Sequence, residues 1–136
     1  MENRDVLIDT SIFIDFLRKK RKEQSLLWRV LDRGYACFVS VVTVFELYAG
    51  AVTEHHVREL DVLLDWFLIL TFNAKIAKTS AEIYRVLRHQ NQLIEFRDIF
   101  IGATAVVHSL PIVTLNEGDF QRIPNLAVLD LSMLQA

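Results

Sequence analysis

Thiol chemistry is nearly absent from this chain, whose one cysteine is Cys37. No intramolecular disulfide can form, and a cysteine-rich zinc site is excluded. A single thiol fits a reducing compartment, so a cytoplasmic location is expected. Glycine and proline are scarce, at 4 and 2 of 136 residues, which predicts few loops and no linker. A domain takes about 100–200 residues, so one domain over 1–136 is expected. Neither sign of charge dominates: 15 Lys and Arg face 17 Asp and Glu, a net charge of −2. A uniformly basic nucleic-acid coat is thereby excluded, although a local basic patch is not. No leader or membrane segment is expected. The N-terminal Met-Glu-Asn-Arg-Asp is too charged to lead a signal peptide. The longest apolar stretch, Ala36 to Val52, carries Glu46 near its middle, which a bilayer would not accept cheaply. No repeat, low-complexity tract or Gly-rich phosphate loop is present.

Apolar residues, by contrast, are plentiful. They make up 52% of the chain, and the mean hydropathy is +0.28. A chain this small buries only about two thirds of its unfolded surface. Apolar surface is left over for a partner, and a second copy of the chain is the expected one. The run Val6-Leu7-Ile8 reads as a strand buried on both faces, ending at the capping types Asp9-Thr10-Ser11. A helix follows through Ile12, Phe13, Phe16 and Leu17, and a second carries Leu26, Leu27, Val30 and Leu31. Further strands are expected at Ala36–Val39, Leu68–Leu70, Ile112–Thr114 and Ala127–Leu129. Helices are expected from about Ser40 to Gly50, Glu54 to Trp66, Ala74 to Gln90 and Asp98 to Ser109. In the last of these, Gly102, Ala103 and Ala105 permit close packing. Strands alternating with helices predict an α/β fold, three layers deep, around a mostly parallel sheet of about four to five strands.

Ligands of such sheets bind beyond the carboxyl ends of the strands, and four acids fall there. Asp9 closes the first strand, and Glu46 rides the helix after the second. Asp98 opens the helix before the fourth, and Asp119 sits in the polar loop Leu115–Asp119 beyond it. They are separated by 37, 52 and 21 residues. Clustered oxygen donors without cysteine or histidine suit Mg²⁺ or Mn²⁺ rather than Zn²⁺. Without a cation such a cluster should carry at least one raised pKa. A bound cation could acidify water, screen a phosphate and stabilise the leaving oxygen, which is phosphodiester hydrolysis. Each acid also has a plainer explanation. Asp9, Asp98 and Asp119 could be helix caps, and Thr43-Val44-Phe45-Glu46 fits a capping box.

Four segments in this order resemble the PIN-domain ribonucleases, most closely the VapC-type toxins of toxin–antitoxin pairs. They are Val6–Ser11, Ser40–Leu47, Asp98–Ala105 and Val113–Phe120. The resemblance implies a three-layer α/β/α PIN domain and a metal-dependent endoribonuclease favouring single strands. Asp9, Glu46, Asp98 and Asp119 would be both catalytic and metal-holding. Mg²⁺ is the implied cofactor, with Mn²⁺ as a substitute. Water would attack phosphorus in line, leaving 5′-phosphate and 3′-hydroxyl ends. Thr10, Ser11 and Thr114 would orient carboxylates or water, and Asn116 would support Asp119. Asn91–Arg97 lacks the Gly and Pro that often precede the third acid, so the approach to Asp98 is expected to differ there. A homodimer and a small DNA-binding antitoxin of the VapB type are the implied protein partners, RNA the substrate, and no membrane is involved. The antitoxin would block the site with an inserted segment. The alternatives are a housekeeping RNA-processing nuclease without an antitoxin and an inactive RNA- or protein-binding domain whose acids serve only as caps. A phosphoaspartate mechanism is disfavoured, because position 11 is Ser where a second Asp would be needed.

Other residues carry weaker signals. The basic run Arg18–Lys22 could steer RNA or simply be solvated, and Arg85 and Arg88 read as exposed helix charge. Arg97 could contact phosphate. The histidines at 55, 56, 89 and 108 lack ligand spacing and read as surface or interface residues. Cys37 reads as packing, Trp28 and Trp66 as core, and Tyr48 as an RNA or dimer contact.

Overall fold

A computed structural model of the chain describes residues 3–134. Met1 and Glu2, the start of the charged N-terminal stretch, lie outside the described residues, as do residues 135–136. The strands are β1 (Asp5–Ile8), β2 (Ala36–Ser40), β3 (Leu68–Leu70) and β4 (Ile112–Val113). The helices are α1 (Thr10–Arg18), α2 (Leu26–Asp32), α3 (Val41–Ala49), α4 (Glu54–Leu64), α5 (Ala74–His89), α6 (Phe96–Val107) and the short α7 (Glu117–Phe120). Single 3-10 turns follow α1 at Lys22–Gln24 and close the chain at Leu131–Leu134.

Among the described residues, the strands form one parallel sheet in the order β3-β2-β1-β4. Chain order reverses beside β1, so the switch point lies between β1 and β4. Val6, Leu7 and Ile8 are buried on both faces, as their continuous apolar run predicts. Two cores sandwich the sheet. On one side Ile12, Phe13, Leu27, Val30, Leu60 and Leu64 gather, with Phe13 meeting Phe67 edge-on at 4.9 Å. On the other, Ile76, Ile83 and Leu87 of α5 pack with Ile99, Ile101, Ala103 and Ala105 of α6. Gly102 lets α6 approach Ile123 closely, since a Cβ there would press on that side chain.

Two expectations need correction. The fifth strand reduces to a single bridge between Val128 and Ile112. β4 has only two residues to pair with, so the ladder cannot propagate. Trp28 and Trp66 are exposed, at 46% and 74%, rather than core. Trp28 lies one position off the face carrying Leu27 and Val30, and Trp66 lies past the end of α4. β3 is an edge strand with Leu68 and Ile69 exposed. Cys37 is buried as expected, and burial pushes its thiol up to about 12.

Candidate active site

Asp9 follows directly on β1, caps α1 and is 4% exposed. Its Oδ2 accepts three bonds: from the Ser11 amide at 3.4 Å, the Ser11 hydroxyl at 2.7 Å and the Thr114 hydroxyl at 2.8 Å. The cap explanation therefore holds, but it is incomplete, because the same oxygen joins two strand ends. Thr114 follows β4, which pairs with β1, so the topology alone places these residues side by side. The oxygens of both hydroxyls are engaged in turn. Ser11 Oγ accepts from the Leu115 amide at 3.0 Å, and Thr114 Oγ1 from the Asn116 amide at 2.9 Å.

Glu46 lies in the middle of α3, not in a capping box. Ser40 caps that helix, its hydroxyl accepting from the Val42 amide at 3.1 Å. The serine at the strand end captures the first free amides before Thr43 can. Glu46 reaches instead to Thr10, which donates to Oε1 at 2.8 Å. The Thr43 hydroxyl lies 2.9 Å from that of Thr10 and completes the group. Thr43 is buried, and its role here went beyond the sequence reading. The signal was its position three residues before Glu46, which puts both on one helix face. Glu46 Oε2 meets Arg97 Nη1 at 3.4 Å.

Asp98 stands in the first turn of α6, which starts at Phe96, two residues earlier than expected. Its carboxyl is pushed up to about 6, chiefly by burial and then by the negative charge of Asp9. Glu46 and Asp119 push the same way, and Arg97 offsets part of the effect. Three acids from distant parts of the chain thus bear on Asp98 at the carboxyl edge of the sheet. Asp119 lies in α7, where a loop was expected. Asn116 Nδ2 donates to Asp119 Oδ2 at 3.1 Å, and Arg122 stands 4.0 Å from Oδ1. Asn116 is therefore spent on positioning Asp119.

Oxygen donors alone make up this set, and their mutual repulsion is what a hard divalent cation would relieve. In that chemical sense the residues fit such an ion. Among the described residues, however, no three His, Cys, Asp or Glu side chains are gathered closely enough to hold one as they stand. Two open hollows flank the acids. One, of about 510 Å³, is lined by Ser11, Arg18, Lys19 and Leu115. The other, of about 440 Å³, is lined by Val42, Phe45, Glu46, Arg97 and Phe100.

The remaining candidates divide. Within the basic run, Arg18 and Lys19 border a hollow, whereas Lys22 turns inward. Lys22 Nζ donates to the Phe16 and Leu17 carbonyls at 2.7 and 3.2 Å, stopping α1. Tyr48 donates to Asp61 at 2.5 Å, bridging α3 to α4. That bond pushes its phenol up to about 12. All four histidines, Arg85 and Arg88 are exposed.

Comparison with known proteins agrees with this architecture. A family profile of the PIN domain matches residues 6–126. Ribonuclease VapC1 of Methanocaldococcus jannaschii is 30% identical over 90% of this chain and 83% of its own length. Among solved structures, VapBC-1 from nontypeable Haemophilus influenzae superposes with a TM-score of 0.81 at 25% identity, covering 94% of this chain and 98% of that one. A toxin-antitoxin complex from Klebsiella pneumoniae gives 0.72 at 29% identity, over 93% and 97% of the two chains. The matched segment contains all four acids and the strands that position them, and the chain belongs to the PIN domain family.

Proposed function

We propose that this chain, one domain over 1–136, is a metal-dependent endoribonuclease acting as the toxin of a toxin–antitoxin pair. The observation that carries this is that Asp98 at the sheet edge is raised by burial and by the charges of Asp9, Glu46 and Asp119, three acids from remote parts of the chain. Caps acting separately would not need to meet. The similarity to a VapC ribonuclease and to VapBC complexes supports RNA as substrate and a VapB-type antitoxin as partner.

The four acids would hold Mg²⁺, with Mn²⁺ as a substitute. When bound, the ion supplies positive charge that screens the scissile phosphate and acidifies the attacking water. Asp9 is fixed for this task through Oδ2 by Ser11 and Thr114, and Glu46 through Oε1 by Thr10. Asp98 holds its proton below about pH 6 in the metal-free protein and must release it to ligate. Arg18 and Lys19 beside Ser11 supply sequence-independent attraction for the RNA backbone. A second copy of the chain is the proposed cover for the apolar surface around Phe45, Phe72 and Phe96. Among the described residues no helix is long and apolar enough to cross a membrane.

The test is incubation of partner-free protein with total RNA and Mg²⁺ or Mn²⁺, beside Asp98→Asn and a chelator control. Cleavage that needs both the metal and Asp98 is the expected result. Folded, partner-free protein that cuts nothing and binds no Mn²⁺ would leave the acids a purely structural role.

A further inference from the structure

Arg97 is the charged group at this site that four metal-holding acids leave unexplained. It precedes Asp98 on α6 and reaches across to α3, where its Nη1 lies 3.4 Å from Glu46 Oε2. Its Nε lies 3.8 Å from Glu95 Oε2. Thr10 already serves Glu46 Oε1, so both oxygens of Glu46 are engaged. The two partners differ in freedom. The Glu46 side chain is 16% exposed and held by Thr10, whereas that of Arg97 is 57% exposed and can swing. A divalent ion that takes Glu46 as a ligand must therefore displace the guanidinium from Oε2.

We infer that Arg97 is a built-in counter-cation that occupies Glu46 in the metal-free protein and yields it to a divalent ion while keeping its pairing with Glu95. This rests on the metal-dependent reading above. A guanidinium cannot shed its proton to make way, so it can only move. Glu95 stays paired with it throughout, which keeps the exchange cheap. The arginine would then stabilise the metal-free state of the site, spare Glu46 from repulsion by Asp98, and set the ion concentration at which the centre loads. Glu95 would oppose it by drawing the guanidinium away.

Arg97 and Glu95 give the inference opposite-signed tests. Mn²⁺ affinity is read by electron paramagnetic resonance of the free ion, without RNA, on wild type, Arg97→Gln and Glu95→Gln. Asp98→Asn marks the site, since ions counted there must lose affinity in that variant. Arg97→Gln should bind Mn²⁺ about two- to fivefold more tightly, the range a partly exposed pair can supply. Glu95→Gln should bind it about twofold more weakly. The tightening should persist at about 0.5 M salt, where a distant charge is screened but a contact pair is less so. Unchanged or weaker binding by Arg97→Gln overturns the inference, and so does a gain that vanishes at high salt. If neither wild type nor Arg97→Gln binds Mn²⁺, the metal-dependent reading itself falls, a result distinct from either. Arg97 is more than half exposed, so the variant should fold, and its melting curve checks this.

Discussion

Asp9 and Asp119 belong to one acid cluster but are held by different means. Asp9 is almost fully buried and takes three bonds on one oxygen, two of them from side chains rooted at different strand ends. Asp119 is half-buried on a four-residue helix, with one bond from Asn116 and a loose ion pair at 4.0 Å with Arg122, each three positions away. The first arrangement is long-range and part of the sheet. The second is local and can shift without disturbing the core. A site built this way has a fixed half that defines position and a softer half that can adapt to an ion or a substrate.

The difference can be broken at either end. Asp9→Asn should abolish RNA cleavage, with a loss of about a thousandfold or more, because it removes a charge from the fixed half while keeping its shape. Thr114→Val should come next. It deletes a fully buried hydroxyl that both donates to Asp9 and accepts from Asn116. Cleavage or Mn²⁺ affinity should fall about 10- to 100-fold, and stability by about 1–3 kcal/mol, read by denaturant unfolding.

Asp98 gives a pH-dependent effect of opposite sign. Its carboxyl is raised to about 6, above the ordinary value of 3.8, so the folded state prefers the protonated form. Its charge therefore costs stability above about pH 6, and the cost is relieved as pH falls toward 4. Metal-free Asp98→Asn should melt a few degrees higher than wild type at pH 7.5, on the order of 1–2 kcal/mol after solvent screening. The gap should close between pH 6 and pH 4 in a calorimetric series. The smallest effect is expected of Asn116→Ala, with less than a tenfold loss of cleavage and a stability change within about 0.5 kcal/mol. Should it match Thr114→Val in both readouts, the division into a fixed and a soft half is wrong.

Much of the site was legible before any coordinates. The run Val6–Ile8 ending in Asp9, and Val113 ending in Thr114, marked two strand ends with polar residues just beyond. Parallel topology does the rest. What misled was local chemistry with two solutions. Thr43 and Glu46 have the spacing of a capping box and of a shared helix face alike, and only the position of Ser40 decides between them. Trp28 and Trp66 misled for another reason. Apolar periodicity shows that a helix has a buried face, but a bulky residue at the margin of that face can fall on either side. Arg97 was visible beside Asp98, but nothing linear connects it to Glu46, 51 positions away.

The sequence by itself determined the alternation of strands and helices, the oxygen-only donor set and the excess of apolar surface. Each of these follows from residue type and short-range spacing. Tertiary structure alone decided which hydroxyl serves which acid, that Asp98 bears the repulsion, and that an arginine stands against Glu46. Those outcomes depend on distances between segments that are remote along the chain. They are set when β4 closes beside β1 and α6 packs against α3.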